Sequence, residues 1–438
     1  MGSASSGKLE SYRHQMNTKI GDLVYEVDER HPPPGAIVFS VSETRGILPQ
    51  VELFQRPIAT DDRSRYRRIS FGDVVYNPYL LWNRAVGVCF DSHGGCVSPA
   101  YPVLRPYESG TERFLHYFFR SKGFTAAVDA IAAGSVTRRR TASLGDILNL
   151  TFDLPDCTNR RAANCILGAL DDKIELNRKM NQTLEGIARA IFKSWFVDFD
   201  PVRAKAEGRD PGLPAEIADL FPSTFVDSEL GEIPEGWEVA TVSAICSISK
   251  DVVQPGDSPE KTWEHYSIPS FDSGRWPALD NGASIKSAKL RVHVNCILVS
   301  KLNPQFPRVW YPVVHDTEAA ICSTEFIPFV PKPPDVRSCV YELMRSELIQ
   351  QTIADQATGT TGSRQRAKAE DVARIHWKKP PDGLVHHFCQ LVHPMHERVG
   401  KALEESYTLA ALRDTLLPKL ISGELRVPDA ERIVGRCE

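Results

Sequence analysis

Residues 2 to 9, GSASSGKL, imitate the phosphate-cradling loop G-x-x-x-x-G-K-[ST], but Leu9 stands where a hydroxyl would hold magnesium and no strand precedes it. Asn77, Pro78 and Tyr79 come nearest to the N/D-P-P-Y/F motif of a methyl-transferring site. Leu80 follows them and no glycine-rich adenosylmethionine loop accompanies them, so they read as a turn at the end of a strand. His386, His387, His393 and His396 cluster without ordered spacing against thiols or carboxylates, and read as histidines on a helix surface. The 10 cysteines contain no C-x-x-C pair, which argues against a zinc module or a disulfide framework and for reduced thiols. The sequence therefore predicts no catalytic residue, no metal site and no cofactor bound by the chain itself.

What remains is cationic chemistry. The formal net charge is −4, which is not the footprint of a small basic DNA-binding domain, but arginine is concentrated locally. GSVTRRRT (134 to 141) and GTTGSRQRAK (359 to 368) combine glycine, small hydroxyls and guanidinium groups. Backbone N–H groups beside glycine approach an anionic oxygen closely while arginine supplies charge and a bidentate fork. Phosphate contact is accordingly assigned to Ser135, Thr137, Arg138, Arg139 and Arg140, and to Thr360, Ser363, Arg364, Arg366 and Lys368. Base reading needs side chains that reach a groove. The candidates are Arg63, Arg65, Arg67 and Arg68, then Asn83 and Arg84, then Ser273, Arg275 and Arg308. An arginine run is often merely a solvated face, and Trp82, Trp276 and Trp310 are more often core than contact residues.

The elements that must position these groups come in two copies. CVSPAYPVLRP (96 to 106) overlays ICSTEFIPFVP (321 to 331) at an offset of 225 positions, which also places Arg120 on Arg345, Gly134 on Gly359, Arg139 on Arg364 and Pro155 on Pro380. FSVSETRGILP (39 to 49) resembles YSIPSFDSGRWP (266 to 277) at a slightly different offset, so small insertions separate the copies. Within a copy, β-branched and aromatic runs such as AIVFSV, DVVYN and VSPAYPVL read as strands. Residues 114 to 133 and 339 to 357, free of proline, read as helix, which makes each copy an α+β domain.

Each domain then opens a long helix. From about Asp156 to Val197 there is no proline, and Leu170, Ile174, Asn177, Asn181, Leu184, Ala188, Ile191 and Trp195 follow alternating steps of four and three, a coiled-coil seam. The offset carries this seam onto Met395, Val399, Ala402, Ser406, Leu409, Leu416 and Leu420, with Arg413 as the exception. About 40 helical residues span about 60 Å, a rod that sets a spacing. Asp200 and Pro201 are expected to end the first helix. Pro418 is expected to tighten or kink the second, with Gly423 suited to its C-terminal cap. The resulting boundaries are a first domain at 1 to 155, a helix at 156 to 200 and a linker at 201 to 233 rich in Gly and Pro. A second domain at 234 to 380, a helix at 381 to 427 and a tail at 428 to 438 follow. No apolar run is long enough to span a membrane and the start lacks a secretory signal, so a cytoplasmic protein is expected.

NRKMNQTLEGIARAIFKSWFVDFDPVRAKAEG (177 to 208), SELGEIPEGW (228 to 237) and LRDTLLPKLISGEL (412 to 425) resemble the specificity subunit of type I restriction-modification systems, in the same order and over the full length. The resemblance implies two similar target-recognition domains separated by two long antiparallel coiled-coil spacer helices in a pseudo-two-fold repeat. It also implies double-stranded DNA as ligand, each domain reading one half of a split target. Two methyltransferase subunits that hold the S-adenosylmethionine, and motor-nuclease restriction subunits, would be the partners. A coiled-coil scaffold that binds only protein is the competing reading, and a self-contained modification enzyme or nuclease would need motifs the chain lacks.

Overall fold

The computed structural model describes residues 15–53, 62–132, 141–357 and 365–425. Two compact units contain them: unit 1 holds the chain up to Lys173 together with Leu409 onward, and unit 2 holds Ile174–Thr408.

In unit 1 a four-stranded antiparallel sheet runs in the order Val24–Val27, Val103–Pro106, Val74–Tyr76, Val86–Val88. Val74, Val75 and Tyr76 are all buried, because helices cover one face and further strands the other, so the central strand is apolar throughout instead of alternating. Thr151–Pro155 pairs antiparallel with Gln15–Lys19, returning the domain to its own start just before the first long helix. Unit 2 repeats this plan with Cys246–Ile248, Phe326–Pro331, Ile297–Ser300 and Val309–Trp310 in the same order, and His376–Lys379 pairs with Glu238–Thr241. The copies differ outside this frame. Unit 2 carries a five-stranded sheet in which Thr262–Tyr266 pairs parallel with Ala320–Cys322, whereas unit 1 has two-stranded pieces at Phe39–Ser42 with Gly46–Pro49 and at Arg67–Ile69 with Gly95–Val97.

The helical stretch expected at 114 to 133 is two helices, Glu112–Phe119 and Lys122–Ile131, and that at 339 to 357 is likewise Arg337–Arg345 and Glu347–Asp355. The break is a serine in both copies. Ser121 and Ser346 are extended at ψ 153° and 146°, and their hydroxyls accept from the amides of Phe124 and Ile349, which starts a new helix in each place.

The long helices span Cys157–Phe196 and Asp382–Ile421, 40 residues each. Asp156 caps the first by accepting from the Asn159 amide at 2.8 Å. Pro418 falls inside the last turn of the second, and Gly423 at φ 70° closes it in the left-handed conformation. Among the described residues no helix is long and apolar enough to cross a membrane.

The two helices pack antiparallel within each unit. In unit 1, Leu167 and Leu170 share one core with Leu416 and Leu420, and the exceptional Arg413 is explained by an ion pair to Asp171 at 3.0 Å. In unit 2, the Phe388 ring meets Phe192, Trp195 and Phe196. Nearer the middle of both helices, Asn177 donates to the Ala402 carbonyl and to Glu405 and Ser406. Asn177 and Ala402 are equivalent residues of the two copies, 225 positions apart. Equivalent positions meet at the midpoint of two antiparallel copies, so the seam is centred there. All eight seam positions read in the first helix are buried or half-buried, as are Met395, Val399, Ala402, Leu409, Leu416 and Leu420.

The segment read as a linker is folded. Phe199 turns at φ 58°, after which Asp200–Ala206 forms a new helix with Pro201 in its first turn, where a missing N–H costs nothing. Val202, Phe221 and Ile233 are buried in the core of unit 2, so the segment is a packed strap and not a free tether.

Candidate nucleic-acid interface

The described arginines divide by their partners. In unit 1, Arg67 is a rung of the strand Arg67–Ile69 and its guanidinium lies against Glu26 at 3.0 Å and Asp28 at 3.4 Å. Arg63 donates to the Ala36 carbonyl at 3.1 Å. Arg65, Arg68 and Arg84 are exposed. Asn83 donates to Glu43 at 2.6 Å, which joins loop 82–85 to loop 42–45. Arg120, singled out in the sequence only as a repeat marker, organises both loops. Its guanidinium donates to the carbonyls of Val86, Thr44, Arg84 and Glu43 at 2.8 to 3.0 Å. Arg84 itself is held at φ 66°, so the loop presents it in a fixed left-handed turn.

In unit 2 the candidates are more deeply engaged. Arg308 forms a two-pronged pair with Asp272 at 2.7 and 2.9 Å, and Arg366 one with Glu325 at 3.0 and 2.8 Å. Ser273 donates to the Ser270 carbonyl at 3.2 Å. Arg275 reaches Glu185 of the first long helix at 2.5 Å. Lys368 is exposed at the start of the helix Ala369–Ala373. Ser135, Thr137, Arg138, Arg139, Arg140, Thr360, Ser363 and Arg364 lie outside the described residues, as does the loop at 2 to 9.

His396 corrects the surface reading. It is buried, with Nδ1 3.0 Å from the Ser338 hydroxyl and Nε2 2.9 Å from Glu342, a carboxylate that also accepts from Arg345 at 3.2 Å. Arg345 continues to Glu185 at 3.2 Å, so one charged chain ties both long helices to the helix Arg337–Arg345. The equivalent position in unit 1 is Asp171, which accepts from Tyr117 at 2.7 Å, Arg413 at 3.0 Å and Arg113 at 3.3 Å. The two copies thus anchor their helices at the same place with different chemistry. His386 pairs with Asp335 at 3.1 Å and His393 meets the Tyr311 hydroxyl at 3.2 Å. Among the described residues no three His, Cys, Asp or Glu side chains converge on a metal position.

Two further groups resemble catalytic parts. Asn77 accepts from the Tyr79 amide at 3.0 Å, the expected turn. Ser249 and Asp251 lie 3.1 and 2.9 Å from His293, but both on Nε2. A hydrolytic relay uses both ring nitrogens, so this trio is a surface contact. Burial pushes the thiol of Cys89 up to about 11 and those of Cys246, Cys296 and Cys389 up to about 12, which keeps them protonated and unreactive.

Unit 1 carries a pH dependence of its own. His116 accepts the Val88 amide on Nδ1 at 3.4 Å, and burial, with Arg120, Arg113 and Arg413 nearby, lowers its pKa from 6.5 to about 3. The unfolded chain binds this proton more readily, so the contribution is intact above about pH 6.5 and is lost as pH falls toward about 3, by at most about 1.4 kcal/mol per pH unit. Urea midpoints at pH 7 and pH 5 should differ more for the natural chain than for His116→Gln; equal differences would contradict the assignment.

Comparison with known proteins agrees with this architecture, although no family model matches the chain. The HindI specificity subunit of a type I restriction enzyme from Haemophilus influenzae is 25% identical over 414 residues, covering 82% of this chain and 88% of that protein. The MjaIX specificity subunit from Methanocaldococcus jannaschii is 25% identical over 336 residues, 74% of this chain and 71% of that one. The crystal structure of a type I restriction-modification S subunit from M. genitalium superposes with a TM-score of 0.56 at 12% identity, over 94% of this chain and 98% of that chain, which shows a shared fold. Along most of its length the chain is similar in sequence to specificity subunits of type I restriction enzymes, and it shares the fold of a solved S subunit.

Proposed function

We propose that this chain is the sequence-reading subunit of a type I restriction-modification complex, in which each recognition domain reads one half of a split duplex target and the helices hold the halves at one gap. The observation that carries the proposal is the seam centred on Asn177 and Ala402, where equivalent residues of two 40-residue helices meet. A duplicated reader on rods of equal length has a built-in spacing. The chain supplies recognition and not chemistry. Methyl transfer belongs to two methyltransferase subunits that bind S-adenosylmethionine and dock on the helices, and cleavage to restriction subunits, all acting on DNA in the cytoplasm. Of the cations singled out in the sequence, Arg65 and Arg84 on loops, Arg68 on the strand Arg67–Ile69 and Lys368 before the helix Ala369–Ala373 are exposed and available to DNA. Arg67, Arg308 and Arg366, already paired to carboxylates, set loop shape.

Replacing residues 1 to 155 by the first domain of another specificity subunit should change the bases read in one half-site and leave the other half and the gap alone, as scored by methylation of a randomised duplex pool. Altered bases in both halves would contradict modular reading. Binding to partner proteins with no preference among duplexes would favour the scaffold alternative.

A further inference from the structure

The segment Ser273–Trp276 looks in sequence like a base-reading loop, yet two neighbouring side chains on it engage different spacer helices. Arg275 points to the first, donating to Glu185 at 2.5 Å, and Glu185 also takes Arg345 at 3.2 Å. Trp276 goes to the second, its ring stacked on Tyr407 with centroids 5.4 Å apart and 25° between planes. His315, 5.5 Å from the Trp276 ring, adds a contact to Glu404 at 3.2 Å. All of these residues belong to unit 2.

The backbone is arranged for this grip. Gly274 sits at φ 145° and Arg275 at φ 58°, a left-handed turn that an arginine adopts only when its surroundings hold it there. The turn closes the short helix Ile268–Asp272, whose last residue holds Arg308. Glu185 is 13% exposed and Arg345 10%, so the pair is largely screened from water and its geometry is well defined. In unit 1 the position equivalent to Arg345 is Arg120, which donates to loop carbonyls, and alanine (Ala410) stands where Glu185 has its counterpart. The grip is therefore particular to the second domain.

We infer that Arg275 and Trp276 are positioning residues that lock the second recognition domain onto the spacer helices and thereby make the gap between half-sites single-valued. This rests on the two-half-site reading proposed above. Arg275 then acts on DNA specificity through Glu185, not by touching a base.

The test uses the full chain assembled with its methyltransferase subunits and two duplex pools, one with both half-sites fixed while the gap varies one base pair at a time, the other with the gap fixed and the half-sites randomised. For the natural complex a single gap is expected. In Glu185→Ala with Trp276→Ala, the half-site sequences should stay and the preference for that gap over its neighbours should fall about ten-fold, the scale of one lost specific contact. Arg275→Gly provides a second route, because glycine suits the left-handed turn while the side chain that reaches Glu185 is removed; it should relax the gap in the same direction. Unchanged gap preference in Arg275→Gly would overturn the inference, and so would altered bases in the second half-site, which would make Arg275 a base reader. A natural complex with no split target at all would instead remove the reading on which the inference stands.

Discussion

Glu342→Ala is expected to lower the folding stability of unit 2 by about 3–5 kcal/mol, the cost of stranding buried charge when one partner of an enclosed pair is removed. The Glu342 side chain is fully buried, and its Oε1 takes both His396 and Arg345. Alanine leaves that guanidinium, 10% exposed, with Glu185 as its remaining carboxylate, and leaves His396 Nε2 facing a void. Glu342→Gln should cost less, since the amide oxygen still accepts one hydrogen bond. Six of the seven tryptophans, all but Trp82, lie in unit 2, so the midpoint of their fluorescence change in urea reports the effect. A midpoint shift below that expected for about 1 kcal/mol would show that the chain of charge is not held as described.

Phe388→Ala should be comparably severe, about 3–5 kcal/mol, because truncating a buried aromatic loses its transfer energy and leaves a cavity. Phe388 is fully buried and its ring meets Phe192, Trp195 and Phe196 at 5.1 to 6.1 Å, so the cavity opens on the seam itself. Trp195 is in the same cluster, and its emission should shift to the red even under conditions where the variant is still folded. Retention of both the natural emission and the natural midpoint would mean that the two helices do not share this core.

The features legible in the sequence are those with a local period. The four-and-three spacing from Leu170 to Trp195 marks a helix stripe, and every residue of it is wholly or partly buried. The repeat offset carries through to the helix ends, since Cys157 and Phe196 map onto Asp382 and Ile421. Features set by distant partners were not legible. Nothing near Arg275 announces Glu185, 90 positions earlier, so an exposed base reader was the natural expectation. Arg413 interrupts the stripe for the same reason, its partner Asp171 lying far away in the chain. His396 did leave a signal, because it continues the apolar row of Phe388, Val392 and Val399 and so belongs to the buried face. Asp200 and Pro201, read as the end of the first long helix, instead open the next one; the first ends at Phe196 and the chain turns at Phe199.

The most direct measurement of the central claim is a genome-wide map of methylated bases in cells that carry this chain with its methyltransferase subunits, compared with cells lacking the chain. A chain-dependent motif of two short sequences separated by unspecified bases, constant in number at every modified site, is expected. A motif without an interior gap, or a gap that varies from site to site, would contradict it.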